Sequence, residues 1–135
     1  MLITPDIPVI CIQQASQAYH VPLALILSIL KVEGGKKGTL SKNTNGTYDY
    51  GPMQINTVWL DKLKPYGITS ERIQYDICAN IWVGTWILSQ HMNKAKNIWR
   101  GIANYHSSTY SENKAYQWKV WQVYQIISHR LSMKL

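Results

Sequence analysis

The 135-residue sequence predicts one mainly α-helical domain that carries a single small β-hairpin. The first observation is an almost wholly apolar segment between Pro22 and Gly34, which is typical of a buried helix. The second is that several other segments place apolar residues at helical spacing. The third is Asn45-Gly46, a dipeptide typical of two-residue turns. No repeat, low-complexity tract or linker divides the chain, so residues 1–135 are expected to form a single domain.

In chain order, the first predicted helix runs from Ile7 to Tyr19 and carries Cys11. The central helix follows, because Pro22 suits a first helical position and the two glycines after Glu33 suit a stop. The hairpin around Asn45-Gly46 comes next, and it ends in Tyr48-Asp49-Tyr50.

The second half of the chain is predicted to be helical. Asn56 and Asp76 suit N-caps, the first for a short helix from Val58 to Leu63 that Pro65 and Gly67 end. Gly84, inside the longer helix after Asp76, indicates close helix packing. Two more helices are predicted, one at about Ile98 to Tyr105 and one that begins near Ser111 and has an apolar stripe of Val120, Val123, Tyr124, Ile127 and Leu131.

The sequence carries a net charge of +7, spread along the chain. A solvated surface explains this charge, and so does attraction to nucleic acid, anionic lipid or the carboxylate-bearing peptides of a bacterial cell wall. No nucleic-acid-binding motif accompanies the charge, so nucleic acid is not the expected partner. Trp and Tyr are the only aromatic residues, which fits a carbohydrate groove as well as an ordinary core. The densest basic clusters are Lys31, Lys36, Lys37 and Lys94, Lys96, Arg100.

Membrane and export signals are absent from the sequence pattern. No apolar run reaches the roughly 18 residues that span a bilayer, so no membrane span is expected. The segment from Met1 to Pro8 lacks the basic start and the cleavage site of a signal peptide. Either the protein is cytosolic, or a signal peptide has been removed and Met1 added.

Cys11 and Cys78 lie too far apart for a short metal-binding spacing. From the residues alone, a disulfide bridge and two reduced core thiols are equally open. Gly34-Gly35 lacks the residues of a phosphate-binding loop, and the histidines show no metal-ligand spacing, so neither a metal nor a cofactor is expected. The histidines are His20, His91, His106 and His129.

Glu33 is the strongest candidate for chemistry among seven carboxylates. At 3.6 residues per turn it lies on the face of the central helix that carries Ile26, Ile29 and Leu30. Burial and the negative end of the helix dipole both disfavour its charged form, which predicts a raised pKa and a proton donor near neutral pH. The alternative is that Glu33 turns outward at a frayed helix end.

Asp49 is the second candidate because it lies on the hairpin beside two tyrosines. Two carboxyl groups in contrasting environments are the pattern for glycosidic cleavage. The buried acid protonates the leaving oxygen, and the wetter one stays charged beside the cationic sugar. Taken alone, an aspartate at this position is more often a turn residue.

Three segments carry a family resemblance: Glu33 at the end of the apolar helix, then Gly51-Pro52-Met53-Gln54-Ile55-Asn56, then Ala103-Asn104-Tyr105-His106-Ser107. In order, they resemble the signatures of lytic transglycosylases in the lysozyme-like superfamily, which are Glu-Ser, Gly-Leu-Met-Gln-Ile and Ala-Tyr-Asn-Ala-Gly. The resemblance runs from about Cys11 to Leu131. It favours the small secreted enzymes that accompany type III and type IV secretion or conjugation machines and open peptidoglycan locally. It implies a lysozyme-like α+β fold and a periplasmic or secreted location.

The sequence departs from the family pattern at three positions. Gly34 stands where the family usually has Ser, Pro52 replaces Leu, and His106 replaces the Asn after the signature tyrosine. The segment from Asn43 to Gly51 resembles the hairpin of animal-type lysozymes, in which the second catalytic carboxylate occupies the position of Asp49. The sequence thus resembles a transglycosylase body with a lysozyme-type second acid.

The resemblance implies roles for the matching residues. Glu33 protonates the bond after N-acetylmuramic acid and then takes the proton of that sugar's C6 hydroxyl, which closes a 1,6-anhydro ring without external water. Asp49 stabilises the oxocarbenium-like state, electrostatically or as a transient nucleophile. Tyr105 holds the acid or the reacting sugar. The implied substrate-binding residues are Met53 and Gln54, which line the cleft, and Asn56, Tyr105, His106 and Tyr50.

The resemblance also bears on assembly and partners. A periplasmic setting favours a Cys11–Cys78 disulfide that ties the first helix to the helix after Asp76. The expected substrate is the glycan strand of peptidoglycan, the expected partners are secretion or conjugation machinery proteins, and the protein is expected to be a monomer. Two other functions stay open: a hydrolytic muramidase that uses Glu33 and Asp49, and a non-catalytic wall-binding assembly module.

Overall fold

The computed structural model describes residues 7–133, which form seven α-helices and a three-stranded sheet. The segment Met1 to Asp6, which holds most of the stretch used in the signal-peptide argument, lies outside the described residues, as do residues 134–135. The helices are α1 (Val9–Tyr19), α2 (Leu23–Glu33), α3 (Leu60–Leu63), α4 (Ser70–Tyr75), α5 (Ile77–Lys94), α6 (Ile98–Asn104) and α7 (Tyr110–Met133). The strands are β1 (Leu40–Lys42), β2 (Tyr48–Tyr50) and β3 (Ile55–Asn56), and 3₁₀ turns at Thr57–Trp59 and Lys64–Tyr66 flank α3.

The central helix α2 is buried along most of its length and packs mainly on α7 and α1. Ser28, its buried polar residue, donates a 2.6 Å hydrogen bond to the carbonyl of Ala24. Such a bond satisfies a hydroxyl that would otherwise be costly to bury. The helix ends where predicted, because Gly34 adopts the left-handed conformation at φ +68° and its N–H bonds the Leu30 carbonyl.

Helices α1 and α5 pack together and are joined by a disulfide between Cys11 and Cys78. The Cα atoms of the two cysteines lie 5.2 Å apart, within the usual range for a disulfide. The disulfide that the resemblance implied is therefore confirmed. Asp76 caps α5 as predicted, since its Oδ1 accepts the N–H of Ala79 at 3.0 Å.

The hairpin is present, and it extends into a third strand. β1 pairs antiparallel with β2, with Ser41 opposite Asp49, and Gly46 turns between them at φ +86°. β3 pairs with the other edge of β2, so that Asn56 lies opposite Asp49. β3 was not predicted from the sequence, because a two-residue strand is too short to show alternation.

The sequence prediction differs from the structure at three places between Val58 and Gly84. The short helix predicted from Val58 to Leu63 is divided into a 3₁₀ turn at Thr57–Trp59 and the α-helix α3, which ends at Leu63 as predicted. Pro65 lies in the first turn of a second 3₁₀ segment, where a proline is tolerated, and the predicted stop at Gly67 is confirmed by its left-handed conformation at φ +72°. Helix α4, which Thr69 caps, was not predicted. Gly84 marks a close approach of a side chain rather than of a helix, because a Cβ there would collide with Met53.

The apolar stripe predicted for α7 is only half-buried beyond Val120. The buried residues of this helix are Asn113, Tyr116 and Val120. The first half of α7 packs into the domain and its second half lies at the surface. The predicted stripe therefore began too far along the helix, because it left out Asn113 and Tyr116, which are buried although their side chains carry polar groups.

Candidate active site

A cleft of about 510 Å³ runs between the hairpin on one side and α6 with the start of α7 on the other. The C-terminal end of α2 reaches one wall, and α5 contributes Ile87 and His91. The side chains that line it are mostly polar. Those predicted from the sequence as site residues and found in its lining are Glu33, Asp49, Gln54, Asn56, Tyr105 and His106.

Glu33 is partly buried at the end of α2, and burial raises its pKa to about 7. A hydrogen bond from the Tyr116 hydroxyl to Oε2, 2.6 Å long, opposes this shift because it favours the carboxylate. The negative charge of Asp49 raises the pKa further, and Lys119 lowers it. Near neutral pH the acid is therefore divided between its protonated and charged forms, so it can both give and take a proton.

Tyr116, which contacts Glu33 directly, was not predicted from the sequence as a site residue. It is buried on α7, and the ring of His106 stacks on it with centroids 4.8 Å apart and planes 7° apart. Burial and the neighbouring Glu33 raise the pKa of Tyr116, so it stays a hydrogen-bond donor. The available signal was its position four residues before Val120, on the inner stripe of α7.

Tyr105 lines the cleft but does not hold the acid. Its hydroxyl donates a 2.7 Å hydrogen bond to the backbone carbonyl of Met53. Burial, followed by the charges of Glu33 and Asp49, raises its pKa well above the ordinary value. The structure thus assigns the acid's hydrogen bond to Tyr116 rather than Tyr105, and contact of Tyr105 with a sugar stays a prediction.

Met53 and Tyr50 do not line the cleft as expected. The Met53 side chain is fully buried and fills the space that Gly84 leaves open on α5. Tyr50 is also buried, because neighbouring residues of a strand face opposite sides and Asp49 faces the cleft. Both residues therefore lie in the core beneath the cleft lining and do not form part of that lining.

Asn80, which was not predicted from the sequence as a site residue, holds Tyr50 and Met53 in place. It is fully buried on α5, where its Oδ1 accepts the N–H of Met53 at 2.8 Å. Its Nδ2 donates to the carbonyls of Tyr50 and Ile73, each at 2.8 Å. One amide side chain thus holds the hairpin and the loop after it against the helical core.

Asn56 has both of the roles that its position allows. Its Oδ1 accepts the N–H of Val58 at 3.0 Å, which is the predicted cap. Its Nδ2 donates to Oδ1 of Asp49 at 2.9 Å and to Oγ1 of Thr47 at 3.1 Å. This donor orients the Asp49 carboxylate.

Gln54 adopts a left-handed backbone at φ +51°, which is unusual for a residue with a Cβ. Its Nε2 donates to the carbonyl of Gly51 at 3.0 Å, which closes the turn locally. Such conformations persist where the surrounding structure enforces them and are frequent at functional sites. The side chain lies in the cleft lining.

Trp59 and His91 form an aromatic part of the lining that the sequence did not indicate. Their rings meet edge to face with centroids 5.9 Å apart. Burial, and then the nearby Lys94 and Lys62, lower the pKa of His91, so its imidazole is neutral near pH 7. This end of the cleft therefore offers two aromatic rings that meet at nearly right angles.

Within residues 7–133, no group of three or more His, Cys, Asp or Glu side chains is placed to hold a metal ion. None of the helices in this part of the chain is long and apolar enough to cross a membrane.

The sequence matches the family described as Transglycosylase SLT domain over residues 10–125. The chain belongs to the SLT transglycosylase family. Membership confirms the lysozyme-like fold and identifies the protein as a lytic transglycosylase. The residues that match the family extend from α1 into α7, so this SLT domain includes the whole cleft.

Similar proteins occur in enteric bacteria. The SLT domain is 30% identical to Invasion protein IagB of Salmonella typhimurium (strain SL1344), over 85% of this chain and 75% of the relative. It is 28% identical to Protein IpgF of Shigella flexneri, over 77% of this chain and 69% of the relative. A Peptidoglycan-binding-like protein of Escherichia coli O157:H7 is 29% identical, over 84% and 75%.

Proposed function

We propose that this protein cleaves the β-1,4 bond between N-acetylmuramic acid and N-acetylglucosamine in peptidoglycan and releases 1,6-anhydro-N-acetylmuramic acid. The observation that carries the proposal is Glu33, whose pKa is about 7 in a cleft lined mostly by polar side chains. The reaction needs one group that donates a proton and later removes one. A carboxyl group with this pKa does both near neutral pH.

In the first step, protonated Glu33 donates its proton to the glycosidic oxygen. The bond between that oxygen and C1 of N-acetylmuramic acid breaks, and its electron pair stays on the leaving oxygen. Positive charge develops on the ring as an oxocarbenium-like state. Asp49, held by Asn56, supplies a nearby negative charge that stabilises this state.

In the second step, the Glu33 carboxylate removes the proton of the C6 hydroxyl. The freed oxygen bonds to C1, which closes the anhydro ring and restores the protonated acid. No water is consumed in the reaction. Between the steps, Tyr116 stabilises the carboxylate through its 2.6 Å hydrogen bond.

The sugar-binding residues follow from the cleft lining. Gln54, Asn56, Tyr105 and His106 are the proposed polar contacts, and Trp59 offers an aromatic face. Met53 and Tyr50 act indirectly, because they support the turn that presents Gln54.

A hydrolytic muramidase is the second candidate, favoured by Asp49 lying in the same cleft as Glu33. In that case, the Asp49 carboxylate would act as nucleophile, and water would hydrolyse the covalent glycosyl-enzyme intermediate. Digestion of purified peptidoglycan in H₂¹⁸O separates the two. The proposal expects anhydro ends without ¹⁸O, and reducing ends labelled with ¹⁸O would reject it.

The same digestion tests the non-catalytic assembly module. The variant Glu33→Gln keeps the size of the side chain and removes the proton donor. We expect it to release no soluble muropeptides, whereas Glu71→Gln, an exposed glutamate on α4, leaves release unchanged. Absence of release by the wild type would favour the assembly module, and equal release by Glu33→Gln and the wild type would contradict the role of Glu33.

We further propose that the protein acts outside the cytoplasm and opens the wall locally for a secretion or conjugation apparatus. The Salmonella relative is named an invasion protein, which supports this role, and the disulfide suits an oxidising compartment. Deletion of the gene is expected to reduce export by such an apparatus, and restored export with the wild type but not with Glu33→Gln would tie the role to cleavage.

A further inference from the structure

A groove of about 420 Å³ lies on the outer side of α6 and α7. It shares no lining residue with the catalytic cleft, so the mechanism above does not use it. Three of its residues are tryptophans. The lining consists of Asn97, Trp99, Lys114, Gln117, Trp118 and Trp121.

Trp118 and Trp121 form an exposed aromatic platform. They lie about one turn apart on α7, and their rings stack with centroids 5.5 Å apart and planes 14° apart. Trp118 is 59% exposed and Trp121 is 41% exposed. Exposure of two large rings side by side forgoes favourable burial, which is typical of a binding surface.

Two amide side chains beside the platform keep hydrogen-bonding capacity. The Oδ1 of Asn97 accepts the N–H groups of Trp99 and Arg100, while its Nδ2 donates no hydrogen bond within residues 7–133. The Nε2 of Gln117 donates to Asn113, and its Oε1 accepts none in the same part of the chain. The amide nitrogen of Asn97 and the amide oxygen of Gln117 therefore keep their hydrogen-bonding capacity, which matches the carbonyl and the N–H of an N-acetyl group.

The charge of the groove is positive. Lys114 lines it and is, among residues 7–133, the one charged residue in its lining. Lys96 precedes Asn97 in the chain, and it belongs to a basic cluster that the catalytic cleft leaves unexplained. No carboxylate lines the groove, so an anionic ligand would meet no repulsion from its walls.

We propose that this groove is a second glycan-binding site, which takes N-acetylated sugars of a strand that bears carboxylate groups. The identification of this strand as peptidoglycan rests on the proposed function. Aromatic rings would stack on the sugar, the two amides would pair with an N-acetyl group, and Lys114 would attract the acidic peptide. The site would hold the insoluble polymer near the enzyme while the cleft cleaves a short stretch of it.

The test is co-sedimentation with purified peptidoglycan sacculi, carried out in a Glu33→Gln background so that the polymer stays intact. We expect the added pair Trp118→Ala and Trp121→Ala to weaken binding by about tenfold, since two stacking contacts are lost. Tyr66→Ala is the matched control, because Tyr66 is an aromatic residue that is 76% exposed outside the groove. Unchanged binding by the tryptophan variant would overturn the proposal.

Turnover gives a second readout, measured with Glu33 intact. We expect the tryptophan variant to cleave soluble short glycan fragments at the wild-type rate and sacculi several-fold more slowly. Equal loss on both substrates would contradict a separate site. Failure of the proposed function would appear differently, as absence of anhydro product from the wild type, and the sedimentation result would still decide whether the groove binds glycan.

Discussion

The hydroxyl of Tyr116 donates a 2.6 Å hydrogen bond to Oε2 of Glu33, although 83 residues separate the two in sequence. The bond joins the first half of α7 to the end of α2. It stabilises the charged form of an acid whose pKa burial raises to about 7. The protonation of Glu33 therefore depends on how two helices from opposite ends of the chain pack.

Tyr116→Phe removes this bond and keeps the ring on which His106 stacks. Loss of a donor to the carboxylate is expected to raise the pKa of Glu33 above about 7. The limb of the kcat/KM profile that reports Glu33 should move up by roughly one pH unit, the order expected for a charged hydrogen bond. Tyr124→Phe, on the half-buried part of the same helix, is the control. An unshifted limb in Tyr116→Phe would contradict the assignment of that limb to Glu33.

Glu33→Gln should change how stability depends on pH. In the wild type, the folded state keeps the Glu33 proton up to about pH 7, whereas the unfolded chain releases it near 4.5. The free energy of unfolding therefore falls by about 3 kcal/mol between pH 4.5 and 7 through this group, and is flat below and above that window. Glutamine has no proton to lose, so the variant should gain stability over the wild type by that amount as the pH rises.

Urea unfolding of both proteins at several pH values measures this difference. Glu71→Gln, which alters an exposed glutamate, serves as the control and should follow the wild type. A constant difference between Glu33→Gln and the wild type from pH 4.5 to 8 would show that the folded state does not raise the pKa of Glu33.

Asp49→Asn removes a negative charge from the cleft. The pKa of Glu33 should fall, because the repulsion that raises it disappears, and the corresponding limb should move to lower pH. Cleavage should slow by about ten- to a hundredfold through loss of charge stabilisation, with the anhydro product retained. Mass spectrometry of the digest measures both rate and product, and Asp61→Asn on the surface is the control. Complete loss of cleavage would instead favour Asp49 as a nucleophile.

Replacement of both Cys11 and Cys78 by serine removes the bridge between α1 and α5. The bridged residues are 67 apart, so the unfolded chain gains freedom and stability should fall by about 4 kcal/mol. Urea unfolding without reductant measures the loss. Reductant should destabilise the wild type to a similar extent and leave the double variant unchanged, and an effect on the variant would contradict this account.

The sequence predicted best those features whose causes are local. Gly34 ends α2 because a residue without Cβ enters the left-handed region easily, and Asp76 begins α5 because its carboxylate meets an N–H three residues on. Asn45-Gly46 turned the hairpin for the same kind of reason. Short elements such as β3 and α4 escaped prediction, because two to six residues carry too little of a period.

The residues of the site also differ in whether they could be predicted from local sequence. Motifs in the sequence indicated Glu33, Asp49 and Gln54, and the structure places them in one cleft. Tyr116 and Asn80 could not be inferred, since each acts on a partner far along the chain.

By itself, the sequence determined the helix that ends in an acid, the turn that precedes Asp49 and the family to which the chain belongs. The tertiary structure alone decided which hydroxyl meets Glu33, that Met53 and Tyr50 support the cleft without lining it, and how far the pKa of the acid is raised. The physical reason is that desolvation and hydrogen bonding depend on the atoms that surround a group. Those atoms come from segments that only folding brings together.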